Sequence, residues 1–237
     1  MLGLLWNKKK EYLTLVLATT SAIFFATTAT AGSARIRGTV TAVGTNALAV
    51  RTETGANVSI VLDGATGYLT STRSDLNHLT PNSYIGVVSK DVGDRRVALD
   101  VIIFPPSMRG AAEGFSTWDK RPDTTLSKGI RTATGMTNGS VTTVAASPSP
   151  SNVDSTMTNG SIAAATRAGN IKQLTVTYNG AKQTILVPPT APIVTLKPSV
   201  IADLKAGDAV FVNAAAEGSK TTGALIIVGS NGVAPPL

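Results

Sequence analysis

The residues best equipped for chemistry crowd into one stretch of the chain: Arg109, Glu113, Phe115, Trp118, Asp119, Lys120 and Arg121. An aromatic plate beside guanidinium and carboxylate groups suits a sugar or an anionic ligand, which needs stacking plus oriented hydrogen bonds. Trp118 is the one tryptophan beyond Trp6, and Trp and Arg dominate interface energetics when a pocket desolvates them. Arg109, Glu113, Trp118 and Asp119 are therefore the candidate ligand-binding residues. A plainer reading competes with this one. Phe115 and Trp118 would pin the stretch onto a β core, and Arg109 would pair with Glu113 or Asp119.

Other chemistry finds few residues to use. The chain has no cysteine, which excludes disulfides, thiolate metal sites and thiol nucleophiles. Its single histidine, His78, would need Asp75 and Asp100 as co-ligands, and a lone His with scattered carboxylates is a poor metal signature. Met108, Met136 and Met157 lack the clustered spacing of soft-metal ligands and read as core fillers. No P-loop, Gly-x-Ser-x-Gly elbow or His-Glu-x-x-His string occurs. Glu113 and Asp119 could form an acid–base pair, but nothing in the sequence splits their pKa values. The expectation is a non-catalytic protein with no cofactor and no metal.

The elements around this stretch read as strands. Val58, Ile60 and Leu62 alternate with Asn57, Ser59 and Val61, a period-two pattern that buries one face. Gly44-Thr45-Asn46 and Thr54-Gly55-Ala56-Asn57 supply hairpin turns. Ser74-Asp75-Leu76-Asn77-His78-Leu79 changes the period and predicts one helical turn. Two more strands follow, at Tyr84–Val88 and Arg96–Phe104. Three strands, a helical turn and two strands suit a five-stranded OB-type barrel.

The same order returns about 125 residues later, which points to tandem modules. Asn159-Gly160-Ser161-Ile162 parallels Arg37-Gly38-Thr39-Val40, Asp203-Leu204 parallels Asp75-Leu76, and Leu225–Val228 closes the second copy. The expected fold is mainly β: two tandem OB-like five-stranded barrels, each with a short helical turn. The expected divisions are a signal peptide at 1–31, a first module at 32–105, a linker at 106–156 and a second module at 157–237. A single large sandwich is the alternative. Within the linker, Ala145–Asn152 is Ser/Pro-rich and predicts a solvated loop. Met136-Thr137-Asn138-Gly139-Ser140-Val141 also recurs as Met157-Thr158-Asn159-Gly160-Ser161-Ile162. Either one copy is an extra hairpin arm or both pair within one sheet.

Gly38-Thr39-Val40-Thr41-Ala42-Val43, the Asp203–Asp208 turn and the Ala224–Val228 ending resemble the bacterial domain family of unknown function numbered 5666. The string Met108-Arg109-Gly110 through Glu113-Gly114 to Trp118-Asp119 is the more specific part, and it is similar to exported two-module proteins of proteobacteria. The resemblance implies OB-like modules in the bacterial envelope.

Lys8-Lys9-Lys10, the apolar stretch Leu13–Phe25 and Ala29-Thr30-Ala31 form a signal-peptide pattern, with cleavage before Gly32. The apolar stretch is shorter than the about 20 residues of a membrane span. A periplasmic protein with no span after cleavage is expected, and an uncleaved inner-membrane anchor is the alternative. Cleavage removes three lysines and one glutamate and lowers the formal net charge of +7 by two. That mild basic bias, with aromatics dispersed along the chain, lacks the basic groove of a nucleic-acid binder. The partners expected are an envelope protein, a glycan or an anionic ligand. A small-molecule or metal-handling accessory protein is the rival reading, and an envelope enzyme using the loop carboxylates is a third.

Overall fold

Period-two burial runs through the strands: Leu48 and Val50 in one, Leu174 and Val176 in another, Ile185 and Val187 in a third are all buried. The computed structural model describes residues 32–126, 130–146 and 171–237. In chain order the strands are β1 (Gly32–Val43), β2 (Ala47–Thr52), β3 (Asn57–Val61), β4 (Gly67–Arg73), β5 (Tyr84–Val92) and β6 (Arg95–Ile103). They continue as β7 (Gly114–Pro122), β8 (Arg131–Ala146), β9 (Lys172–Tyr178), β10 (Ala181–Val187), β11 (Ile193–Pro198), β12 (Ala209–Glu217) and β13 (Lys220–Gly229). Short 3-10 turns lie at Leu76–His78, Pro106–Met108 and Ile201–Asp203. The fold is mainly β, as the patterning predicts. No helix among the described residues is long and apolar enough to cross a membrane.

Turn chemistry fixes the hairpins. Asn179 and Gly180 join β9 to β10 with φ of 45° and 77°, the double positive φ of the two-residue turn whose twist matches a hairpin. The turn after β4 is capped by Asp75, whose carboxylate accepts from the Asn77 backbone N–H at 2.7 Å.

The strands close into two rings. In the first, β13, β12, β1, β2 and β3 pair in that order, and β3 meets β13 again through a parallel contact. In the second, β6, β5, β8, β9 and β10 pair in order, and β10 meets β6 in parallel. Between them β4 pairs with β13 and β11, and β11 pairs with β6. The first ring thus takes its strands from the two ends of the described chain, and the second from its middle. The division at 32–105 and 157–237 describes the repeat along the sequence, whereas the pairing exchanges strands between the halves. The described residues from Gly32 onward form one compact unit.

Each ring has its own core. Val40, Leu48, Ile60, Val212 and Ile226 pack together in the first. Ile85, Val101, Val141, Leu174 and Ile185 do so in the second. A third cluster joins them, with Leu69, Val88, Ile102, Met136, Leu196, Phe211 and Ile227 in contact. At about 1.5–3 kcal/mol for each fully buried large apolar side chain, this shared cluster binds the rings strongly.

One expectation along the chain is corrected. The stretch Pro105–Asp123 is a 3-10 turn followed by β7, which pairs with β8, and β8 itself falls inside the supposed linker. Asn138–Val141 holds a position equivalent to Arg37–Val40, and the later copy at Asn159–Ile162, with which the sequence pairs Arg37–Val40, lies outside the described residues. Val40 exchanges backbone hydrogen bonds with Asp208 and Gly207, and Val141 does the same with Ser83 and Asn82. Each of the two segments carries a glycine two residues before its valine, where the neighbouring strand approaches closely. A Cβ on Gly139 would sit 2.5 Å from the Thr177 carbonyl oxygen, and one on Gly38 would collide with that of Arg51. The signal-peptide segment, the later copy Met157–Ile162 and most of the Ser/Pro-rich stretch lie outside the described residues.

Candidate functional site

Strand β7 carries Trp118 and Asp119 to the exposed half of β1. One Asp119 oxygen accepts from Arg35 Nη1 at 2.7 Å and the other pairs with Arg37 Nη1 at 2.8 Å. The Arg35 guanidinium also lies 3.9 Å from the Trp118 ring centroid, a cation–π contact. Partial burial pushes the Asp119 carboxyl up. Hydrogen bonding and charge from Arg37 and Arg35 outweigh that and hold it below its ordinary range. Trp118 leans on the shared apolar cluster, and its indole N–H is buried without a partner.

Behind this contact lies a buried group of charged side chains that sequence reading did not bring together. Asp100 on β6 is 6% exposed, with Arg121 of β7 and Arg37 of β1 as the cations acting on it. Burial raises its carboxyl to about 7 against the pull of both arginines. Burial likewise lowers the Arg121 guanidinium, with Asp100 opposing. Arg121 Nε and Arg37 Nη2 are buried and unpartnered. Lys90 and Asp123 form a second buried pair at 2.6 Å, and Thr125 accepts from Lys90 at 2.7 Å. Desolvation raises the Asp123 carboxyl, but Lys90 and Thr125 bring it below the usual range.

Arg109 and Glu113 engage other partners. Arg109 Nη1 donates to Ser140 Oγ at 3.0 Å, and Nη2 to the Asn82 carbonyl. Glu113 Oε1 accepts from the Asn179 backbone N–H at 2.9 Å. Neither the Arg109–Glu113 nor the Arg109–Asp119 ion pair forms. The four sequence candidates therefore divide in two: Arg109 and Glu113 tie the segment before β7 to the second ring, while Trp118 and Asp119 tie β7 to β1. Phe115 is 44% exposed, with the Arg96 guanidinium 3.8 Å from its ring centroid. His78 stands exposed, 3.4 Å from Asp75, and Asp100 is not part of that contact. Among the described residues no three His, Asp or Glu side chains gather as a metal site.

Arg109 also borders a groove of about 550 Å³. The loop Thr80–Tyr84, the segment Ile103–Pro106 and the end of β11 at Thr195–Pro198 line it with Arg109. A smaller hollow of about 220 Å³ lies beside Arg51, Glu53 and Pro235. The partners Arg35, Arg37, Lys90 and Asp100 had only one sequence signal, a charge set within a strand pattern such as Val97–Phe104. No known family matches this chain, and no curated protein or solved structure is similar to it. The family resemblance therefore stands on the quoted residues alone.

Proposed function

We propose that this chain is a non-catalytic binding or adaptor protein of the bacterial envelope, built from two OB-like five-stranded modules that exchange strands. The closure order supports the OB-like reading: a three-strand meander, two returning strands, and a parallel contact where the meander meets the last of them. Export with cleavage before Gly32 belongs to the same reading. The observation that carries it is the groove of about 550 Å³ beside Arg109, a volume within the range of about 300–1,000 Å³ usual for ligand sites. Trp118 and Asp119 act as a clasp between β7 and β1, and Glu113 fastens the loop before β7. Asp100, whose carboxyl burial raises to about 7, is held in the interior beside Arg121 and Arg37, and this reading gives it a structural role.

The test is retention from envelope extract on the immobilised protein, compared with Arg109→Ala after both are shown to melt alike. Retention by the parent that the variant loses supports the groove. Equal retention moves the site elsewhere, and an extract that passes unretained ends the binding reading. The address is checked by N-terminal sequencing of the native protein, where an intact Met1 in a membrane fraction contradicts export.

A further inference from the structure

The groove beside Arg109 has apolar walls and unspent positive charge. Phe104, half-buried, lines it, and its ring centroid stands 5.7 Å from that of Tyr84 with 38° between the planes. Pro105, Pro106 and Pro198 line it. Prolines have no N–H and a fixed φ, so these three residues donate no hydrogen bond and are set before any ligand arrives. The two charged lining residues, Arg109 and Lys197, are both cations, and no carboxylate lines the groove. Among the described residues neither cation has a carboxylate within 4.0 Å. Arg109 spends two donors on Ser140 and Asn82, of the five that a guanidinium carries. It is held in place with donors and charge to spare.

We infer that this groove seats a small organic anion, with its apolar body over Phe104 and between the prolines and its carboxylate at Arg109 and Lys197. The inference rests on the binding reading above and names the ligand class. An inorganic anion would leave the apolar walls wet. A neutral apolar molecule would desolvate the spare Arg109 donors without giving them an acceptor, which costs free energy. An amphipathic carboxylate satisfies both surfaces.

The test uses the full chain and matched probes, 2-naphthoate against 2-naphthamide and 4-phenylbutyrate against 4-phenylbutyramide, followed by backbone amide shifts. The acids should move the signals of Ser83, Phe104 and Lys197, with the amides binding about tenfold or more weakly, the scale of one charge-assisted hydrogen bond. Lys197→Glu, an exposed substitution, should weaken the acids by about tenfold through charge reversal and leave the melting temperature in place. Acids and amides binding equally in the groove overturn the anion assignment but leave the binding reading standing. Shifts confined to other surfaces, or none for any acid, also overturn it. The binding reading falls separately, through an extract that leaves nothing on the column.

Discussion

Replacing Asp100 by Asn should change how stability depends on pH, and the direction follows from burial. The folded carboxyl sits at about 7, while an unfolded aspartate titrates near its ordinary value of 3.8. Between those values the folded protein holds a proton that the unfolded chain has released, so stability falls as pH rises through the window. Below pH 3.8 neither state is charged at this position, and above about 7 the loss is complete. At about 1.36 kcal/mol per pH decade, the full loss approaches about 4 kcal/mol, and the part between pH 5 and 7 is about 2 kcal/mol. That is a large share of a domain stability of about 5–15 kcal/mol. Asp119, Asp123 and Asp203 are held below the usual carboxylate range. Their opposite contributions are complete by pH 5 and leave the window clear. Asn is close in shape and cannot titrate. It also strips Arg121 and Arg37 of a carboxylate, so the pH slope is the clean readout and the absolute stability is not. Urea unfolding from pH 5 to 8 should show the parent losing about 3 kcal/mol relative to Asp100→Asn. Parallel curves for the two proteins, or a parent that gains on the variant as pH rises, would refute the reasoning.

Three further outcomes follow from the packing. Residues 32–105 and 106–237 expressed apart should each lack a cooperative transition, because both rings draw strands from both pieces, and mixing them should restore one. A cooperative melt from either piece alone contradicts the exchange. Gly139→Ala should destabilise by about 1–3 kcal/mol or more by overpacking, since its Cβ meets the Thr177 backbone at 2.5 Å, and an unchanged thermal midpoint would count against that register. Lys90→Met should cost about 3–5 kcal/mol by stranding the Asp123 carboxylate, 1% exposed, in the interior. Adding Asp123→Asn should recover part of it, whereas additive losses in urea unfolding would mean the pair is not coupled.

Much of the β architecture is legible locally. Alternation in β3, the Asn179-Gly180 turn and the Asp75 cap are all set by residues a few positions apart. The exchange is not, because β1 and β12 meet across most of the chain. Two halves with the same strand order satisfy pairing within a half and between halves equally well on pattern alone. The duplicated Met-Thr-Asn-Gly-Ser segment hid the identity of β8 in the same way, since both copies carry the required glycine. At the candidate site, Trp118 and Asp119 stand out by type. Their partners Arg35 and Arg37 belong to a distant strand and read there as ordinary exposed charges. Asp100 is masked by the apolar run Val97–Phe104, in which one carboxylate resembles a solvent-facing strand position. Arg109 stands out by type as well, but the groove beside it is made by β11, which no local pattern places next to Phe104.

A designed disulfide tests the exchanged pairing most directly. Ser33 of β1 and Ala215 of β12 are direct antiparallel partners, both are exposed, and opposed Cα atoms in such a pair lie about 4.5–5.5 Å apart, which a disulfide spans. The native chain has no cysteine, so Ser33→Cys with Ala215→Cys gives an unambiguous product. Mild oxidation of the folded monomer should close the bond within one chain, read as thiol loss by intact mass and as a linked peptide pair after digestion. Free thiols that persist under oxidation, or linkage found only between chains, would contradict β1 and β12 sharing a ring within one molecule.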